Sequence, residues 1–215
     1  VAKPTGLAAM RQSFGEELPM KIRNMAGVDV SHVLQMRKVR AERRQAPIVR
    51  VDDSSLARHA SGCVAIGIST GGPPALARLF AALAPPLPPI VVVQHMPEML
   101  TGPFAARLNS VSSLTVKEAE DGDALQPNCV YVAPGGKQLT VRRRAELGVI
   151  EIRDGEYVSG HKPSVDVMMK TAAALFGNRA LGVIMTGMGH DGVEGCRAIR
   201  VAGGYVLGQD EATSD

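Results

Sequence analysis

From Cys63 onward, short apolar runs alternate with stretches whose apolar residues recur at helical spacing. CVAIGI leads into a helix beginning near Pro73, IVVVQ into one near Leu100, and ALGVIMT into one near Val193. Strand, loop and helix repeated in this way predict an α/β fold: a doubly wound, mainly parallel sheet flanked by helices. Shorter pieces lie between the second and third units: LTVKEA, the pair NCVYVAPGG and KQLTVRR, and GVIEIRDG. Their turn residues, at 134–136 and 153–155, predict an antiparallel hairpin at one edge of that sheet. Ser164 is placed to cap a helix written SVDVMMKTAAALFGN, with Pro163 before it and Gly177 and Asn178 at its close.

Residues 1–60 follow a different pattern. GLAAMRQSFGEELPMKIRNMAG is amphipathic at helical spacing but interrupted by Pro19, and VSHVLQMRKVRAERRQ crowds Arg37, Lys38, Arg40, Arg43 and Arg44 together. The second stretch predicts a linker helix with a solvated, charged face. No aromatic residues interleave the basic cluster and no groove-reading fold is suggested nearby, so nucleic acid is not an expected partner. The expected division is a leading segment over 1–60 and a main domain over 61–215.

Composition adds the material of the core. Of 215 residues, 45% are hydrophobic and only 3% aromatic, with no tryptophan, so the core is built from Val, Ile, Leu, Ala and Met. A net charge of +3 is too mild to indicate a polyanion by itself. Cys63, Cys129 and Cys196 are odd in number and widely spaced, which argues against a disulfide framework or a zinc site and fits a reducing cytoplasm. The longest apolar stretches, such as 90–93, fall far short of the roughly 20 residues that span a bilayer. VAKPTG also lacks the pattern of a secretory signal, so a cytoplasmic protein without membrane insertion is expected.

Candidate chemistry gathers in three of the predicted loops. Ser69 sits where a buried strand turns sharply into a helix, among Gly67, Gly71 and Gly72, in the pattern GxSxG of a nucleophile elbow. Amides opening the next helix point at whatever binds there. The same pattern also suits a phosphate cradle or a simple helix cap. His95 ends the second strand, at the carboxyl edge where open α/β sheets bind ligands. Asp191, in TGMGHDG, stands at the entrance of the last helix, where a carboxylate also serves as a cap. A serine becomes nucleophilic when an imidazole takes its proton and a carboxylate holds that imidazole, and the three residues complete such a set.

His190 and His161 are rival bases: His190 adjoins Asp191 and should point away from it, whereas His161, in SGHKPS, could line the pocket instead. The histidines and carboxylates lack close ligand spacing such as HxxxH, so no metal is expected. Met96, Met99, Met185 and Met188 lie near the loops, either filling the core or offering a soft surface to a substrate helix.

GISTGG, QHMPEMLTGPFAARLN, KPSVDVMM and MTGMGHDG together resemble the catalytic domain of the CheB family of chemotaxis methylesterases, over about residues 62–214. The resemblance implies a protein-glutamate methylesterase that is also a protein-glutamine glutaminase, with catalytic Ser69, His95 and Asp191 and no cofactor. It implies substrate glutamates on the cytoplasmic helices of methyl-accepting chemotaxis receptors. Candidate oxyanion donors are the amides near Thr70 and in the loop at Met188 and Gly189. VAKPTG resembles the last strand and lysine–proline turn of a receiver domain, with Lys3 on the family's lysine; a receiver and a histidine kinase are thus implied for the full-length protein. The family's domain continues past DEATS, so the catalytic domain is expected to be truncated at Asp215. Ile68 replaces the usual small residue before the serine and Gln138 a frequent histidine after APGG, changes expected to alter pocket shape more than chemistry. Two other functions share these features: a predominant protein-glutamine deamidase, and a non-catalytic phosphate or nucleotide-binding module, although the chain lacks the lysine–serine pair of a P-loop and the third glycine of GxGxxG.

Overall fold

The computed structural model describes residues 62–144 and 147–214. The expected linker helix, its basic cluster and the receiver-like start fall on 1–60, outside the described residues. Among the described residues, no helix is long and apolar enough to cross a membrane.

Strands β1 (Cys63–Ile68), β2 (Ile90–Gln94), β3 (Thr115–Glu118), β4 (Cys129–Val132), β7 (Ala180–Ile184) and β8 (Tyr205–Gly208) form one six-stranded sheet in the order β3-β4-β2-β1-β7-β8. Every neighbouring pair is parallel. Helices α1 (Gly72–Ala82), α2 (Glu98–Val111), α3 (Val165–Phe176) and α4 (Val193–Val201) connect them, as the alternation of patterns predicts.

Side chains alternate across each strand, and the two faces collect different helices. Ala65, Val91 and Val93 pack with Met168, Met169 and Ala172 of α3 and Ile199 of α4. Ile66, Ile68 and Val92 pack with Leu76 and Phe80 of α1 and Phe104 and Leu108 of α2. Each fully buried Val, Leu, Ile, Phe or Met among them stabilises the fold by about 1.5–3 kcal/mol relative to leaving it exposed. The sheet is therefore covered on both faces, which is why its central strands read as unbroken apolar runs.

The antiparallel hairpin is present, but its strands are β5 (Gln138–Arg144) and β6 (Leu147–Arg153), and they form a sheet of their own. NCVYV does not pair with KQLTV; it supplies β4, parallel to β2 and β3 inside the main sheet. Val130, Tyr131 and Val132 are all buried, as an interior strand requires. Leu139, Val141 and Ile150 give the hairpin one apolar face, which joins the cluster around α3.

β1 lies between β2 and β7. The chain leaves β1 toward β2 and later returns to β7 on the other side, so the strand order reverses beside β1. At such a point the connections diverge and leave a crevice beyond the carboxyl ends of the strands.

Candidate active site

Ser69 and His95 leave their strands side by side. Ile68 is in register with Gln94, and the ladder continues as His95 N–H donates to the Ile68 carbonyl at 3.2 Å. On the other flank the Ser69 amide donates to the Thr186 carbonyl at 2.9 Å. Alternation sends Ile68 and Gln94 toward α1 and leaves Ser69 and His95 on the face covered by α3.

Two glycines of the elbow are explained by close approach. A Cβ on Gly67 would lie 2.3 Å from Cγ1 of Val165, so its absence lets the start of α3 approach β1. A Cβ on Gly72 would fall on the amide of Gln94, 1.8 Å from its Oε1. Pro73 and Pro74 follow in the first turn of α1, where a missing N–H costs little.

On the α3 side, Ser69 Oγ lies 3.0 Å from His95 Nδ1, and His95 Nε2 lies 2.8 Å from Asp191 Oδ2. The side chains of His95 and Asp191 are only 12% and 1% exposed, so water screens this chain weakly. The three residues predicted from separate loops therefore form one hydrogen-bonded series.

Asp191 is held by more than His95. Ser164 Oγ donates to Oδ1 at 2.7 Å, the Val165 amide to Oδ2 at 2.8 Å, and the Asp166 amide to Oδ1 at 3.0 Å. Burial opposes ionisation of this carboxyl, but the hydrogen bonds from His95, the Asp166 amide, Ser164 and the Val165 amide together outweigh it and hold the pKa at about 2. An ionised Asp191 accepts only, so the His95 proton must sit on Nε2 and the Nδ1 lone pair faces the serine hydroxyl. The ring is thus turned over relative to the serine-protease arrangement, in which Nε2 faces the nucleophile.

Asp191 is expected from sequence to cap the helix it precedes. In the structure it caps α3 instead, while the N-cap of α4 is Gly192 with no side-chain bond. Ser164 does cap α3, accepting from the Val167 amide at 3.4 Å, yet its donation to Asp191 was invisible in the helix-start pattern.

The remaining candidates separate clearly. A pocket of about 100 Å³ is lined by Ser69, His95, Asp191, Thr186, Met188 and Gly189 among others. Thr70 is exposed at the start of α1, and the Thr186 hydroxyl donates to its carbonyl at 3.0 Å. His190 is exposed, and His161 stacks on His95 with ring centroids 3.6 Å apart. The methionines divide: Met99 and Met188 are 87% and 79% exposed, whereas Met96 and Met185 pack against the core.

Gln94 and Gln138 are supports that the motifs did not mark as such. Gln94 Nε2 donates to the carbonyls of both Ser69, at 3.0 Å, and His95, at 3.2 Å, tying the two loops together. Gln138 donates to the carbonyls of Glu156 and His161 and accepts from the Ser164 amide at 2.9 Å. Gln94 stands at the end of an apolar run and carries no other signal, whereas Gln138 replaces a frequent histidine after APGG, which points to pocket shape and not to this backbone support.

His95, His161 and Asp191 bring possible ligand atoms within 4.8 Å of one another. The two rings are stacked 11° from parallel, so their in-plane lone pairs run alongside each other and do not converge on a point. The arrangement suits proton transfer better than ion coordination.

The sequence model of the CheB methylesterase family matches residues 64–215. A protein-glutamate methylesterase/protein-glutamine glutaminase of Treponema denticola is 51% identical over 152 residues, covering 70% of this chain and 41% of that protein. A second, from Xanthomonas campestris pv. campestris, is 40% identical over 223 residues, covering 100% of this chain and 63% of that protein. Among solved structures, the Thermotoga maritima CheB methylesterase catalytic domain matches with a TM-score of 0.70 and 40% identity, over 71% of this chain and 82% of that one. The chain thus spans between 41% and 63% of the length of these two curated relatives.

Proposed function

The chain belongs to the CheB methylesterase family, and on that premise we propose that it is a serine hydrolase removing methyl esters from glutamate side chains on the cytoplasmic helices of chemoreceptors. Glutamine deamidation by the same site is part of the proposal, supported by relatives that carry both activities in their names. The observation that carries it is the half-buried series Ser69 Oγ, His95 and Asp191, with contacts of 3.0 and 2.8 Å.

In the first half-reaction Ser69 Oγ attacks the γ-carbonyl carbon while its proton passes to His95 Nδ1. The oxyanion that forms is held by backbone amides at Thr70 and in the loop at Met188 and Gly189; each well-aimed donor of this kind is typically worth about 3 kcal/mol. Collapse breaks the bond to the methoxy oxygen, which takes the Nδ1 proton and leaves as methanol. In the second half-reaction water attacks the acyl-serine, His95 again accepts the proton at Nδ1, and Ser69 is regenerated with the glutamate carboxylate. For a glutamine substrate the nitrogen leaves as ammonia by the same path. Asp191 keeps the tautomer fixed and stabilises the imidazolium through both halves.

A receptor's cytoplasmic helices place the reaction in the cytoplasm. The proposal assigns 1–60 to a receiver tail and linker, on the likeness of VAKPTG to the end of a receiver domain, in front of a catalytic domain over 61–215; the Xanthomonas relative aligns over both parts.

The test is methanol release from a methylated receptor fragment, together with mass spectrometry after a serine-directed fluorophosphonate. The parent chain is expected to release methanol and to carry one adduct on Ser69, and Ser69→Ala to do neither. Methanol release by Ser69→Ala near the parent rate rejects the assignment.

A further inference from the structure

His161 is not one of the three residues in the series, yet the chain around it holds its ring on His95. Val158 and His161 close a two-residue turn through paired backbone bonds of 3.1 and 2.9 Å. Both central residues have positive φ, 53° at Ser159 and 77° at Gly160. Ser159 therefore occupies a region that side-chain-bearing residues rarely adopt. Its hydroxyl donates to Asp166 Oδ2 at 3.3 Å, and its carbonyl accepts from His161 Nδ1–H at 2.8 Å. Gln138 Nε2 reaches the His161 carbonyl at 3.3 Å from the far side. These ties fix both the backbone and the ring angle of His161, and the result is a stack of 3.6 Å between centroids.

We propose that His161 is a positioning residue: its ring forms a wall against which the ring of His95 is held through the catalytic cycle. The inference rests on the esterase function proposed above. Before reaction His95 is held at two points, Ser69 and Asp191. Once Ser69 is acylated its hydroxyl proton is gone, and the Nδ1 bond with it. The ring then has a single remaining bond, to Asp191, and is free to pivot about it. His161 blocks that pivot by covering one face of the ring, so Nδ1 still points at the acyl-serine when water arrives. The aromatic face also lies against the imidazolium formed in each half-reaction, an attractive arrangement for a cation over a π system.

The experiment compares His161→Ala, which removes the wall, with His161→Phe, which keeps an aromatic face but no nitrogen. In His161→Ala, kcat for methanol release is expected to fall roughly tenfold to a hundredfold with KM changed less than about twofold, since the loss lies in alignment and not in ground-state binding. His161→Phe is expected to recover most of kcat. A second readout is independent of turnover: the Nε2–H proton that His95 donates to Asp191 should give a downfield proton NMR resonance in the parent and in His161→Phe, and broaden by exchange with water in His161→Ala. The proposal is overturned if His161→Ala keeps both kcat and the resonance, or if His161→Phe is as slow as His161→Ala, which would make the nitrogens the essential feature. A parent chain that neither releases methanol nor takes the phosphonate on Ser69 fails the esterase function itself, a result distinct from either of these.

Discussion

Asp191 and Asp166 exchange helix caps. Asp191, in the loop before α4, accepts from the Val165 and Asp166 amides that open α3. Asp166, in the first turn of α3, accepts from the Gly192 and Gly195 amides that open α4, at 3.0 and 2.7 Å. Each carboxylate thus sits at the positive end of the other helix, and the exchange locks the loop bearing Asp191 to the floor of the pocket.

The exchange lets the chemical and structural roles be separated by substitution. Asp191→Asn keeps one of the two oxygens that the α3 amides use but no longer requires a proton on His95 Nε2, so the tautomer is lost; methanol release should drop by about ten-thousandfold, with the fold retained by circular dichroism. Asp166→Ala leaves the amides of α4 without an acceptor and should cost about 1–2 kcal/mol in urea unfolding, with a smaller loss of turnover. Equal effects on turnover from the two variants would contradict this division.

The low pKa of Asp191 has a consequence for acid stability. The folded value, about 2, lies below the ordinary carboxyl value of 3.8, so the stabilisation is complete above that ordinary value and is lost as pH falls through the folded one. A difference of this size corresponds to about 2 kcal/mol. The gap in unfolding free energy between the parent and Asp191→Asn should therefore be widest near neutrality and close between pH values of about 4 and 2. A gap constant across that window would show that the hydrogen bonds to Asp191 do not favour its charged form.

Gln94 offers a test of how the two loops are kept in step. It is 2% exposed, and among the described residues its Oε1 has no hydrogen-bond partner, so burying this amide is costly except for the two bonds made by Nε2. Gln94→Glu turns that donor into a buried acceptor facing the Ser69 and His95 carbonyls and should be worse than Gln94→Leu in both stability and phosphonate labelling. Gln94→Leu itself should lose about 1–3 kcal/mol, from carbonyls left unpaired. If Gln94→Leu labels at the parent rate, the tie between the loops is not needed for chemistry.

Cys63 supplies a probe of global opening. Burial pushes its thiol up to about 12, and thiolate is the reactive form. Maleimide at pH 8 should modify Cys63 only in denaturant, whereas the half-buried Cys129 and Cys196 react earlier. Prompt modification of Cys63 in the native protein would mean that the start of β1 opens locally.

Much of the site was readable because it depends on local rules. Unbroken apolar runs ending in small or polar residues mark strands and their carboxyl ends, and parallel strands put those ends on one edge. Ser69 and His95 follow from strand ends, and Asp191 and Ser164 from helix starts, but joining the first three into one set took the chemistry of a serine, a base and an acid and the likeness of the surrounding motifs to a known family. The apolar alternation of KQLTV and GVIEI likewise marked two further strands, but their partners were not marked, because pairing depends on which segments meet and not on what each one prefers. For the same reason NCVYV was assigned to the hairpin although its fully apolar run suits the interior of the sheet.

The amino-acid order by itself determined which residues stand at the rim, since strand ends and helix starts are set by neighbours in the chain. Only the folded arrangement decided that Asp191 caps α3 and not α4, that His95 turns Nδ1 toward Ser69, and that His161 lies flat on that ring. Those outcomes join segments tens of residues apart, and they are fixed by how closely Gly67 lets α3 approach β1, a distance that no local pattern contains.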